Sequence, residues 1–164
     1  MQTGTMGAGG IPKRYILLAM CFLASFICYI DRVNISVAIV PMAEKFGWSS
    51  TTKGVVLSSF FLGYLISMAP SGWASNRFGG KALLGVALIG WSLFTVLTPL
   101  AAGLSLAVLL AVRVLMGLGE ASNFPAIYNL LGLWIPPAER SRATAINLSG
   151  MSLGTLFALS ASGW

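Results

Sequence analysis

Residues 15–42, YILLAMCFLASFICYIDRVNISVAIVPM, decide the class of this chain. The run is long enough to cross about 30 Å of hydrocarbon as a helix. Yet it holds an acid and a base side by side, Asp31 and Arg32. One charge near a bilayer centre costs on the order of 3 kcal/mol even on the mildest scale. A helix keeps two only where they face a protein interior or water, commonly along a substrate or ion path. Two more charges, Arg113 and Glu120, stand inside a later apolar run. The chain therefore reads as an all-α, polytopic membrane protein with a charged interior.

Composition supports that reading. Of the 164 residues 57% are hydrophobic and 9% charged, whereas a soluble domain is about a quarter charged. The net charge of +6 is not a nucleic-acid patch, because the basic residues are spread thinly at the ends of apolar runs, as the positive-inside rule expects. There is no histidine, so a metal centre or haem has nothing to build on and neither metal nor cofactor is expected. Cys21 and Cys28 lie seven residues apart in one span, roughly 10 Å along a helix. That is too far for a disulfide, so both are read as packing residues. Lys13 and Arg14 before an apolar run imitate a signal peptide, but the run continues past Asp31-Arg32 and has no small-residue cleavage site.

Apolar stretches of spanning length fall at 15–40, 54–74, 82–101, 104–132 and 143–164. They divide the chain into a disordered lead over residues 1–12 and a partial transmembrane bundle over 13–164. Strict two-residue alternation is absent, which argues against a β-barrel. With the N-terminus in the cytoplasm, Lys13, Arg14, Arg77, Lys81, Arg140 and Arg142 are inside, while Lys45 and Lys53 are outside. Small residues recur every fourth position at Ser59, Gly63, Ser67 and Ser71, and again at Gly150, Gly154 and Ala158. Such stripes let helix backbones approach closely. The second stripe is expected to await a helix beyond this chain. Five spans ending at Trp164 read either as a small complete protein or as a piece of a longer one.

Heights along the spans follow from the rise per residue. Asp31 lies ~24 Å from the start of its span, level with Arg32 and Arg113, and Glu120 lies about two turns further in. Arg113, Gly117 and Glu120 share one helical face. This places Asp31 opposite Arg113 as an expected ion pair, and leaves Arg32 without an acid of its own. Arginine stays protonated and offers a planar fork matched to carboxylate or phosphate. Burial and a nearby cation act in opposite senses on a carboxyl group, so Glu120 and Asp31 are candidates for taking up and releasing a proton. The plainer alternative is a set of internal ion pairs that only hold the helices together. Tyr64 and Asn123 are weaker cavity candidates, since a tyrosine in a span is often an interfacial anchor.

Five segments carry a resemblance. GWASNRFGGK (72–81) resembles the cytoplasmic loop motif of the major facilitator superfamily, and RVLMGLGEASNFPA (113–126) resembles its fourth helix. Together with YIDRVNISVAIVPM, SSFFLGYLISMAPSGW and WIPPAERSRATA they look like the anion:cation symporter family within it. The likeness covers about residues 14–164. It implies twelve helices in two six-helix halves around one central cavity, so these five helices would be most of the N-terminal half. By that likeness Arg32 would bind the substrate anion and Tyr64 would line the cavity. Glu120 and Asp31 would couple protons, Arg113 would pair with an acid, and Gly72, Asn76, Arg77, Gly79 and Lys81 would form the gating loop. The motif expects an acid where this chain has Asn76, so the loop's clasp to a basic partner such as Arg142 should be weaker.

The function expected is secondary active transport of a small organic or inorganic anion, coupled to protons or alternatively to sodium, by alternating access. Its partners would be that anion, the coupling ion, the lipid bilayer and the missing C-terminal half, with no nucleic acid, in a cell inner membrane. A passive anion channel and an integral-membrane enzyme are the rivals. The absence of histidine and of paired acids at the interfaces weighs against an enzyme.

Overall fold

The computed structural model describes residues 12–162. Six α-helices follow in order: α1 (Lys13–Phe46), α2 (Ser50–Phe78), α3 (Gly80–Leu104), α4 (Leu106–Glu120), α5 (Asn123–Trp134) and α6 (Arg140–Ser162), with a 3₁₀ turn over Pro137–Glu139 before α6. α4 and α5 together make one span, so five segments are long and apolar enough to cross a membrane. The expected lead falls almost wholly outside the described residues, as do the last two positions of the expected fifth span.

The helices outrun the apolar runs that announce them. α1 continues to Phe46 and stops where Gly47 takes a left-handed conformation, φ 65°, ψ 35°, which costs little without a Cβ. Ser49 caps α2 and Ser105 caps α4, each accepting a backbone N–H at 3.2 Å, from Thr52 and Val108 respectively. The segment resembling a cytoplasmic loop is mostly helix: Gly72, Asn76 and Arg77 belong to α2 and Lys81 to α3, leaving Gly79 as the connection. Its φ of 85° again suits glycine.

The span expected over 104–132 is broken. Pro125 has no N–H for the carbonyl of Ala121, and its ring would crowd that carbonyl in a continuous helix. The chain therefore tightens over two residues, with Ser122 donating to the carbonyl of Gly119 at 3.1 Å before α5 resumes. Glu120 is the last residue before the break and Asn123 the first after it.

Packing runs in pairs. α1 lies along α6, α2 along α4, and α3 along α4 and α5. A Cβ on Gly63 would collide with the carbonyl of Val114, and one on Gly117 with the carbonyl of Phe60. Only glycine permits that approach of α2 and α4. The second stripe does not await an outside helix: a Cβ on Gly150 would stand 2.8 Å from the carbonyl of Phe22, and Gly154 abuts Phe26, both on α1. The expectation failed because a small-residue face does not say which helix fills it.

Six basic side chains start or end helices at one end of the bundle, here called the basic end: Lys13, Arg14, Arg77, Lys81, Arg140 and Arg142. Three buried clusters stack from that end to the other. Leu18, Cys21, Ile127, Leu131 and Ala143 join α1, α5 and α6. Cys28, Phe60, Trp91 and Met116 fill the middle. Ile39, Val56, Ala101 and Leu109 close the far end. Large apolar side chains such as Leu65, Val86, Ile89 and Leu133 are exposed around the circumference, as a lipid-facing surface requires.

Candidate functional site

The middle layer holds the charges. Arg32 of α1 donates to Oε2 of Glu120 through Nη2 at 2.9 Å and Nε at 3.3 Å. Cys28, one turn before Arg32, donates its thiol to the same oxygen at 3.3 Å. Glu120 is fully buried and the Arg32 side chain keeps one fifth of its surface exposed. The guanidinium also stands over three rings: Tyr29 at 4.9 Å, Tyr64 at 5.1 Å and Phe60 at 5.2 Å. Stacked guanidinium–ring contacts are favourable and leave the edge of the fork free for an oxygen.

Arg113 is placed differently from expectation. It is 2% exposed. It donates to the thioether of Met116 at 3.2 Å, stands 5.1 Å from the Phe60 ring, and leaves Nε unpartnered. Phe60 thus carries a guanidinium on behalf of each helix. Asp31 and Arg113 do line one cavity, of about 420 Å³, together with Asn34, Thr95, Thr98 and Met116. They form no ion pair within 4.0 Å; among the described residues the ion pairs are Arg32–Glu120 and Arg14–Glu139. Asp31 faces Thr95 of α3 instead.

The pairing therefore differs from the one the heights implied. Arg32 has an acid, and Arg113 has none. Counting rise along straight, upright helices put Glu120 two turns from Arg32. The contact of Cys28 with Glu120 sets the acid about one turn from Arg32, and the length of the arginine side chain closes the rest of that gap. Tyr64 comes to the site as the ring beside Arg32. Phe60 and Tyr29 were not singled out in the sequence, and Cys28, read there only as a packing residue, proves to be a donor to Glu120. Cys21, Ser25, Cys28 and Arg32 follow i, i+4, i+7, i+11 spacing, and that stripe was the signal available.

At the basic end Asn76 accepts from Asn129 at 3.3 Å, and the same Asn129 side chain accepts from the N–H of Gly80 at 3.2 Å. One α5 amide thus ties the end of α2 to the start of α3. The expected partner Arg142 does not take part. Arg77 and Lys81 are exposed. Across the bundle Arg14 meets Glu139 at 3.4 Å. Arg140 donates to the carbonyls of Ile135 and Gly132 at 3.1 and 2.6 Å, fixing the turn into α6.

A charged pair buried in an apolar bundle, beside a broken span and a cavity that carries Asp31 and Arg113, is the kind of arrangement that marks substrate and ion paths in membrane proteins. The Major Facilitator Superfamily sequence profile matches residues 21–164. The chain belongs to that superfamily. Its members are transporters, and five spans make this chain part of an integral, multi-pass membrane protein. The chain is 48% identical over 148 residues to a probable chloroplastic anion transporter of Oryza sativa subsp. japonica, covering 90% of this chain and 25% of that protein. It is 46% identical to a chloroplastic ascorbate transporter and 47% identical to a chloroplastic sodium-dependent phosphate transport protein, both of Arabidopsis thaliana. Those matches cover 90% of this chain and 27% and 29% of the two relatives. The chain thus spans about a quarter of the length of these relatives. A bacterial homologue of the human lysosomal transporter Spinster, inward-facing and occupied, superposes with a TM-score of 0.84 at 28% identity, covering 92% of this chain and 32% of that one. The spans and the family carry the multi-pass membrane placement, and the plant relatives are named as chloroplastic.

Proposed function

We propose that these helices belong to the N-terminal half of a transporter that moves a small anion together with a proton by alternating access. The observation that carries the reading is the buried Arg32–Glu120 pair. An ionised Glu120 occupies the fork of Arg32. A protonated Glu120 is a poorer partner and leaves the fork to a substrate carboxylate or phosphate. Proton and anion therefore favour each other's binding, and by linkage the coupling is reciprocal. That is the thermodynamic requirement of symport. Tyr29, Phe60 and Tyr64 hold the guanidinium in place while its acid partner is exchanged for substrate. Asp31, facing the neighbouring cavity, is the second candidate for a coupling carboxylate, and sodium is the alternative coupling ion. The Asn129 clasp on Asn76 and Gly80 is read as part of the gate at the basic end, which faces the cytoplasm by the Lys/Arg bias.

The relatives' names point to ascorbate and phosphate as first probes. In the full-length transporter, Glu120→Gln should abolish accumulation of either probe driven by a pH gradient while leaving counterflow exchange intact. Accumulation by Glu120→Gln in response to external acid would remove Glu120 from the coupling role.

A further inference from the structure

Oε2 of Glu120 takes both bonds from Arg32 and the one from Cys28, whereas Oε1 is buried with no partner. It is not the only such atom nearby. Both polar atoms of Asn123 and Nδ2 of Asn147 are also buried and unpartnered, and both residues are 0% exposed. Orphaned buried amides are rare, since each costs on the order of 1–3 kcal/mol when left unmet.

The three helices α1, α5 and α6 bring these atoms to one level. Cys21 of α1 and Ile127 of α5 pack in one cluster, and Ser25 and Asn123 each lie one turn from them within the same helix, away from the basic end, so Ser25 and Asn123 share a height. Asn147 joins that level by accepting the hydroxyl of Ser25 at 3.0 Å. One further turn toward the basic end, Cys21, Ile127 and Ala143 form an apolar layer from the same three helices. A polar layer of Ser25, Asn123 and Asn147 is thus enclosed between Glu120 and an apolar plug.

The inventory of orphans identifies the occupant's chemistry. Within the Ser25–Asn123–Asn147 layer and on the Glu120 carboxylate above it, two are acceptors, Oε1 of Glu120 and Oδ1 of Asn123, and two are amide donors; the other buried unpartnered donors of the middle layer, Nε1 of Trp91 and Nε of Arg113, belong to α3 and to the Phe60 side of α4. Exchanging the oxygen and nitrogen of Asn123 leaves the count unchanged. A bare cation would face two amide donors, and an anion would face a carboxylate. Water offers two donors and accepts two, which matches all four.

We propose that Ser25, Asn123 and Asn147 form an internal water site through which Glu120 exchanges its proton, from Oε1, on the side away from Arg32. The inference rests on the reading of Glu120 as the coupling acid. The O–H bond on Oε1 breaks, its electron pair stays on the carboxylate, and the site water accepts the proton while passing one of its own toward the basic end. That last transfer requires the Cys21–Ile127–Ala143 layer to part, so the proton route is shut in the conformation described. The carboxyl group then divides its work: Oε2 senses the substrate side through Arg32, and Oε1 serves the proton. The charged and titratable groups around Glu120 are Cys28, Asp31 and Arg32 of α1, with Arg113 on α4 itself and Tyr29 of α1 and Tyr64 of α2 against Arg32. Among the described residues α3, α5 and α6 present none to it.

The test is infrared spectroscopy of the full-length transporter, following hydrogen–deuterium exchange of the protonated Glu120 carboxyl band, identified by its loss in Glu120→Gln. Asn147→Leu and Asn123→Leu should each slow that exchange at least tenfold, with counterflow of the phosphate probe kept within twofold. Ser25→Ala, the mildest change, should slow it less and serves if either leucine variant fails to fold. Exchange at the wild-type rate in the variants overturns the water site. So does a parallel fall in counterflow, which would mark the layer as packing. If no Glu120 band appears between pH 5 and 8, the coupling reading itself falls and takes this inference with it.

Discussion

Removing Arg32 should damage the protein mainly through what it leaves behind. Arg32→Ala deletes both bonds to Oε2 of Glu120 and the contacts with three rings. Glu120 would keep only the weak thiol donor Cys28 while remaining fully buried. Breaking a buried pair from one side costs about 3–5 kcal/mol. Glu120→Gln alone is milder, about 1 kcal/mol, because the amide oxygen still accepts from Arg32 and only the charge-assisted part of the bond is lost. The double variant removes the orphaned charge and should recover about 2 kcal/mol relative to the sum of the two, which is a typical coupling for residues in contact. Equilibrium unfolding of the full-length transporter in mixed micelles, run as a double-mutant cycle, measures that coupling. A double variant as unstable as the sum of the singles would refute the pair.

Three further outcomes are expected. Arg32→Lys keeps the charge but loses the planar fork, so anion affinity should fall at least about tenfold, or ~1.4 kcal/mol, in equilibrium binding of phosphate or ascorbate. Gly117→Ala puts a methyl group against the carbonyl of Phe60; the overpacking should cost about 1–3 kcal/mol and displace Phe60, lowering both unfolding stability and anion affinity. A cysteine at Gly79 should react with membrane-impermeant reagent only from the cytoplasmic side and one at Ser49 only from outside; the reverse pattern would invert the topology derived from the Lys/Arg bias.

What the sequence determined by itself is what hydropathy and rare intramembrane charges encode. Asp31, Arg32, Arg113 and Glu120 stand out because the apolar background makes each of them costly, and the spans follow from the length of hydrocarbon to be crossed. The small-residue stripes announced close helix contacts, but periodicity on one helix is silent about its neighbour. Hence Gly150 and Gly154 met α1 rather than a helix outside the chain. Pairing of the charges lay beyond the sequence for the same kind of reason. Height along an ideal helix joined Asp31 to Arg113, whereas the packing of the helices and the reach of the arginine side chain joined Arg32 to Glu120. Cys28, Phe60 and Tyr29 gained their place around that pair only when α1, α2 and α4 packed together. The polar layer of Ser25, Asn123 and Asn147 is likewise a property of three helices meeting at one level. In the sequence Asn123 is only a weaker cavity candidate and Ser25 and Asn147 do not stand out at all, and only tertiary burial turns an amide that water would have satisfied into one that needs a partner.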